Sequence, residues 1–264
     1  MLKDIENNRL SHAYMFYGNK GIGKAYIAKE ISKKILDTDN LEGCIDFKYI
    51  DKKETDKQDI PVGRIRKEVI DTIYEKPLTA DKKIYIIDDA TKLNIASQNA
   101  LLKVLEEPPK YICIILIADD ISSILSTILS RVKRLDFNNL SKEEMNEYIL
   151  NNSISINDKV LNFVNGSIGK LKYILDNNLN EQFLKLEELY SYIENINLLN
   201  AINIKKDIDF KNDIVFEYFK YIYSLKEHYD EEKYIEKCRE MIKRNANYDM
   251  VINNMIINLE RRVI

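Results

Sequence analysis

Gly18-Asn19-Lys20-Gly21-Ile22-Gly23-Lys24-Ala25 is the stretch that decides the fold of this 264-residue chain. It fits the pattern G-x-x-x-x-G-K-[ST] at every position but the last. In that pattern the glycines let backbone N–H groups curl around phosphate oxygens, and the lysine reaches the terminal phosphates. The hydroxyl that follows holds Mg²⁺. Ala25 has no oxygen, so its side chain cannot make that contact. Gly18, Lys20, Gly21, Ile22, Gly23, Lys24 and Ala25 are therefore candidates for an anion cradle that is poorly equipped for hydrolysis. The plainer reading is a glycine-rich turn that serves backbone geometry alone. Both readings imply the same fold.

Working outward, Ala13 to Tyr17 reads as a strand that enters the loop, and Lys24 to Leu36 as the helix that leaves it. Ile27, Ala28, Ile31 and Ile35 fall on one face of that helix. Further strands are expected over Ile45 to Ile50, Ile84 to Asp88, Ile112 to Ala118 and Val132 to Phe137. Helices are expected over Arg64 to Glu75, ending before Pro77, and over Asn99 to Glu106, stopped by Pro108-Pro109. This alternation predicts an α/β domain with a mostly parallel sheet. After Phe137 the texture becomes helical throughout. It opens with an S-x-x-E capping box, Ser141 to Glu144, and closes with a helical stretch over Tyr248 to Leu259. Domain boundaries are expected near Asn138 and near Asn177 to Asn180, giving 1–138, 139–178 and 179–264.

The bulk numbers exclude several classes. With 45% hydrophobic and 31% charged residues, the chain reads as a soluble globular protein. Its 40 basic and 43 acidic residues give a net charge of −3, which does not favour a dominant nucleic-acid-binding role. Cys44, Cys113 and Cys238 are too far apart for a disulfide framework or a four-ligand zinc site, so a reducing cytoplasm is the expected location. The opening residues carry no signal-peptide stretch, and no apolar run approaches membrane-spanning length.

Ile84-Tyr85-Ile86-Ile87-Asp88-Asp89 is an apolar strand that ends in two acids. In nucleotide-hydrolysing enzymes with this loop, an Asp there supports Mg²⁺ and a following Glu positions the attacking water. Asp89 is one methylene shorter than Glu. An acid pair that caps the next segment is the preferred plain reading.

Four stretches occur in a telling order. They are Ser11-His12-Ala13-Tyr14, Ile86-Ile87-Asp88-Asp89-Ala90, Gln98-Asn99-Ala100-Leu101-Leu102-Lys103-Val104-Leu105-Glu106-Glu107-Pro108-Pro109, and Thr127-Ile128-Leu129-Ser130-Arg131-Val132. With them the chain resembles the bacterial clamp-loader AAA+ subunits, and among these the delta-prime type of DNA polymerase III. The likeness is strong to about Asn178 and weaker beyond. It implies an α/β P-loop AAA+ domain, a three-helix lid and an all-α C-terminal collar.

In that family, motor subunits bind and hydrolyse ATP, whereas delta-prime is typically a rigid stator that lends an arginine to a neighbour's ATP site. The departures in this chain favour the stator. Ala25 replaces the metal-binding hydroxyl, Asp89 stands where motors carry Glu, and Gly169 stands where they place a phosphate-sensing Arg. Ala118-Asp119-Asp120 lacks their Thr pair, and little chain precedes the loop strand to hold adenine. The family motif S-R-C survives as Ser130-Arg131-Val132, so the resemblance implies that Arg131, with Ser130, is an arginine finger acting in trans. An arginine that merely pairs with a local acid is the plain alternative.

The implied partners are tau/gamma-type motor subunits and a delta subunit, with the sliding clamp and primed DNA as targets of the complex. Little DNA binding by the chain alone and no membrane contact are expected. No cofactor is expected to be required. Only Cys44 lies where some relatives carry a four-Cys zinc module, so no metal is implied. Two rival readings stay open: an active motor-type ATPase, and a binding module that holds ATP, ADP or phosphate without turnover.

Overall fold

The computed structural model describes residues 1, 4–5, 9–53 and 59–263. The chain divides into two compact units. One comprises Met1–Ile154 with Asn165–Gly169, and the other Ser155–Val164 with Lys170–Ile264.

The first unit is built on a five-stranded sheet: β1 (Ala13–Tyr17), β2 (Phe47–Ile50), β3 (Lys83–Ile87), β4 (Ile112–Ala118) and β5 (Lys133–Asp136). Its order is β2-β3-β4-β1-β5 and every pairing is parallel. Alternation along the strands sorts their side chains onto two faces. On one face, Met15, Tyr85, Ile87, Ile114 and Leu116 pack with Ile65, Val69, Leu101, Val104 and Leu105 from the covering helices. On the other, Tyr14, Phe16, Ile84, Ile86, Cys113 and Ile115 meet Ala28, Ile31 and Leu36. Leu101, Val104 and Leu105 are thus core, with Leu102 partly buried beside them.

The helix after the loop, α1, spans Lys24–Leu36 as expected. Several elements differ in extent from the sequence expectation. Strand β2 starts at Phe47 rather than Ile45, because Asp46 turns its carboxylate inward to tie down residues 78–80. The expected helix over Arg64 to Glu75 begins earlier, as α2 (Val62–Ile65), widens into a π-helical stretch over Arg66–Ile70 and ends as α3 (Asp71–Ile73). Helix α4 covers Ile95–Glu106, one turn earlier than expected, because the Asn94 carboxamide accepts the Ser97 N–H at 2.9 Å and caps it. A short α5 (Ser126–Leu129) precedes β5.

Helix α6 (Lys142–Asn151) carries the expected reciprocal capping box between Ser141 and Glu144. Helices α7 (Asp158–Val164) and α8 (Ile168–Asp176) follow. The second unit continues with α9 (Asn180–Glu194), α10 (Leu198–Ile204), α11 (Asp213–Ser224), α12 (Tyr229–Lys243) and α13 (Tyr248–Val263), which runs past the expected Leu259. Its interior is aromatic. Phe183 stacks on Tyr218 with ring centroids 4.0 Å apart, and Phe163 meets both rings edge-on. The Tyr218 hydroxyl is satisfied by Glu187 at 2.7 Å, so its burial costs little. Among the described residues, no helix is long and apolar enough to cross a membrane.

Candidate functional site

The strand order places β4 between the loop strand β1 and the acid-tipped strand β3. The register pairs Tyr17 with Ala118 and Ile87 with Leu116, so the carboxyl ends of all three strands lie together. This is the edge where parallel sheets bind ligands. It gathers the phosphate-loop residues, Asp119 and the Asp88-Asp89 pair into one region of the first unit.

The loop runs from Gly18 to Gly23, and Gly18, Gly21 and Gly23 have φ of 150°, 80° and 94°. A Cβ at Gly18 would stand 2.2 Å from the Phe137 carbonyl oxygen, so only glycine fits there. Ile22 is buried, and Lys20 is exposed except through its backbone contact to the segment 165–169.

The Lys24 ammonium is turned onto its own loop. It donates to the Gly18 carbonyl at 2.6 Å, the Asn19 carbonyl at 2.7 Å and the Asp119 carboxylate at 2.7 Å. An ammonium has three N–H donors, and these contacts engage all of them. The Lys24 side chain is 4% exposed, so this is a sheltered, charge-assisted arrangement. Sequence reasoning noticed Asp119 only as a missing Thr; its place beside Lys24 follows from strand pairing, which no local pattern encodes.

Segment 165–169 rests directly on the loop. The Gly169 N–H donates to the Gly21 carbonyl at 2.7 Å, and the Ser167 hydroxyl donates to the Lys20 carbonyl at 3.3 Å. A Cβ on Gly169 would lie 2.8 Å from Gly21 Cα and 2.9 Å from Gly21 O. The two backbones meet where a side chain at position 169 would need room.

At the tip of β3 the acid pair is occupied within the chain. Asp88 accepts the Tyr49 hydroxyl on one oxygen and the Asp89 N–H, at 2.9 Å, on the other. Burial, reinforced by that carboxylate, pushes the Tyr49 phenol pKa well up. Asp89 adopts a left-handed backbone with φ 54° and accepts the Thr91 hydroxyl, opening the 3₁₀ turn Ala90–Lys92. Asp89 occupies the N-cap position of that turn, but its carboxylate caps no backbone N–H there. Tyr49 escaped sequence reasoning, since nothing in its strand marks it as a partner of Asp88.

Arg131 follows α5 and bonds to a different set of groups. Its Nη1 donates to the Thr127 carbonyl at 2.7 Å and to Ser130 Oγ at 3.2 Å, while Nη2 donates to Glu106 Oε1 at 2.8 Å. Its side chain keeps 33% exposure. Pairing with a local acid, the plain alternative from sequence, is therefore present. Glu106 was visible only as part of a motif, with no role attached. Cys113 is fully buried in β4, and desolvation pushes its thiol up to about 12. Among the described residues, no cluster of His, Cys, Asp and Glu could hold a metal ion.

A family model described as DNA polymerase III, delta subunit, matches residues 1–141. The chain belongs to this family. The match covers the sheet, the loop, both acids and Arg131. The delta-prime subunit of DNA polymerase III from Bacillus subtilis (strain 168) is 32% identical over 166 residues, covering 59% of this chain and 50% of that protein. A gamma subunit from Buchnera aphidicola subsp. Schizaphis graminum is 33% identical over 240 residues, covering 80% of this chain and 59% of its own length. The tau/gamma subunit of Haemophilus influenzae is 31% identical over 156 residues, which is 55% of this chain and 23% of that one. The matches thus span from 23% to 59% of these relatives. Among solved structures, a DNA polymerase III gamma subunit-related protein from Thermotoga maritima shares the fold. It has a TM-score of 0.60 and 17% identity, and 99% of this chain and 98% of that one are covered. The architecture is that of an AAA+ P-loop domain with a helical C-terminal region.

Proposed function

We propose that the chain is a delta-prime-like stator of the bacterial DNA polymerase III clamp loader. In this reading it helps load the sliding clamp onto primed DNA and lends Arg131, with Ser130 beside it, to the ATP site of a neighbouring tau/gamma-type motor subunit. A delta subunit completes the assembly, and the work is done in the cytoplasm. Residues 1–138 form the AAA+ domain, 139–178 the lid and 179–264 the collar through which subunits associate.

The observation that carries the reading is the state of Lys24. Its three donors are satisfied by Gly18, Asn19 and Asp119, and Ala25 beside it offers no metal ligand. Asp88 accepts the Tyr49 hydroxyl and the Asp89 N–H. A terminal phosphate at Lys24 would have to displace its bonds to Gly18, Asn19 and Asp119, the last of them charge-assisted. By contrast, Arg131 is part-exposed, and it retains a guanidinium suited to charge on a transferring phosphoryl group.

Titration of the isolated protein with Mg²⁺-ATP, followed by calorimetry and phosphate release, tests this. The stator reading expects neither binding nor turnover, and no change on Lys24→Ala. Turnover abolished by Lys24→Ala would overturn it in favour of a motor subunit. One observation favours a second reading, nucleotide held without turnover: the loop glycines keep positive φ at Gly18, Gly21 and Gly23. Binding without phosphate release, lost on Lys24→Ala, would select it.

A further inference from the structure

An arginine that acts on a neighbour's nucleotide must reach outward with its plane already set. A long side chain left free would lose rotamer freedom at the moment of reaction. Arg131 is not free. Three contacts hold its guanidinium: the Thr127 carbonyl, Ser130 Oγ and the Glu106 carboxylate. Both Nη1 hydrogens and one Nη2 hydrogen are engaged this way. Arginine has five N–H donors, so Nε–H and the second Nη2 hydrogen are left for a further acceptor.

Glu106 is placed by rigid parts. It is the last residue of α4, whose Leu101, Val104 and Leu105 are buried against the sheet. Glu107 ends the helix with its N–H on the Lys103 carbonyl, and Pro108-Pro109 bars any continuation. Thr127 and Ser130 hold the guanidinium from the α5 side, next to it in sequence. Glu106 holds it from a different element, 25 residues away. Two local contacts leave the plane free to swing about the α5 end; a third, from α4, fixes it.

We propose that Glu106 is the positioning residue of Arg131, holding its guanidinium so that the two remaining donors face the phosphoryl group of a neighbouring subunit's nucleotide. The proposal rests on the reading of Arg131 as a finger that acts in trans. Glu106 touches no nucleotide itself. Its negative charge is compatible with that site because it is spent on the arginine. Bonding one oxygen to Nη2 leaves Nε–H and the second Nη2 hydrogen as donors.

The test is a double-mutant cycle in the reconstituted loader, with ATP turnover measured in the presence of clamp and primed DNA. The variants are Glu106→Ala, Glu106→Gln, Arg131→Ala and the Glu106→Ala/Arg131→Ala pair. Glu106→Ala is expected to lower kcat about tenfold, with KM for ATP and assembly by sedimentation unchanged. Glu106→Gln, whose amide oxygen can accept the same Nη2 hydrogen, should recover most of that loss. The double variant should be no slower than Arg131→Ala, because a positioning group has nothing to position once the arginine is gone. A wild-type kcat for Glu106→Ala beside a large loss for Arg131→Ala would overturn the proposal and leave the finger standing. Losses that multiply in the double variant would overturn it equally. A loss on Glu106→Ala that Glu106→Gln does not recover, or one that tracks failed assembly, would reduce the pair to a structural contact. An unchanged rate for Arg131→Ala would remove the finger reading, and this proposal with it.

Discussion

Replacing Gly169 with alanine tests whether segment 165–169 seats on the phosphate loop. The residue lies in the first turn of α8, where alanine is intrinsically better than glycine by about 1 kcal/mol. Helix propensity alone therefore predicts a more stable protein. Packing predicts the reverse. The new Cβ would lie 2.8 Å from Gly21 Cα and 2.9 Å from Gly21 O. Carbon atoms rest at about 3.5 Å or more, so the backbones must part by roughly 0.7 Å. Neither neighbour is a side-chain end that can swing away. Parting them also stretches the 2.7 Å bond from the Gly169 N–H to the Gly21 carbonyl. Overpacking of this kind costs about 1–3 kcal/mol and a lost hydrogen bond about 1 more, against the 1 gained in propensity. The net expectation is a loss of about 1–3 kcal/mol, read as a lower urea midpoint by circular dichroism. Gly63→Ala is the control. Gly63 lies in α2, and a Cβ there meets nothing within 4 Å, so that variant should be stabilised by about 0.4–1 kcal/mol. If Gly169→Ala were as stable as wild type, or gained stability as Gly63→Ala should, the segment would not sit on the loop.

Other expectations concern what surrounds the site. Asp46 is fully buried and accepts the Leu78, Thr79 and Ala80 N–H groups and the Thr79 hydroxyl. Asp46→Ala orphans several of these donors and should cost about 3–5 kcal/mol in urea unfolding at pH 7; a cost under 1 would refute the role. Burial alone would raise the Asp46 carboxyl pKa, but those hydrogen bonds outweigh it and hold the pKa below its ordinary 3.8. The advantage of wild type over Asp46→Ala should therefore be complete above pH 4 and shrink as pH falls below it; a gap that widens in acid would contradict the sign. The Cys113 thiol, buried and pushed up to about 12, should resist alkylation at pH 8 until the chain unfolds, and rapid native labelling assigned to it by mass spectrometry would contradict its place in β4.

The parts of this molecule that sequence revealed are those written locally. Apolar runs of β-branched residues marked β3 and β4, because strands buried on both faces have no polar alternation to obscure them. The glycine loop marked β1 and α1, since only glycine tolerates the backbone it needs. Ser141 and Glu144 marked α6 because the capping box is a reciprocal bond over three residues. The start of α4 was harder to see: its cap is Asn94 with a Ser at the third position, outside the S-x-x-E form. The π-helical stretch over Arg66–Ile70 keeps the apolar spacing of an ordinary helix closely enough to leave no separate mark.

The site divides along the same line. Lys24, Asp88 and Asp89 could be named from motif and spacing, and Gly169 and Arg131 from the family resemblance. Their partners could not. Asp119 reaches Lys24 across 95 residues, Tyr49 reaches Asp88 across 39, and Glu106 reaches Arg131 across 25. The first two contacts are made by the sheet order and the third by the packing of the α4 end beside α5. Lys24, whose phosphate contact the sequence left open, is engaged by its own loop, and Asp88 is a partner for tyrosine.

In the proposed role this chain completes a neighbour's active site instead of running its own. The most direct measurement is ATP turnover by the reconstituted loader with clamp and primed DNA, comparing wild type with Arg131→Ala. An arginine finger predicts a fall of about a thousandfold or more at the neighbour's site, with the assembly intact by sedimentation. An unchanged rate would contradict it and leave Arg131 as no more than the partner of Glu106.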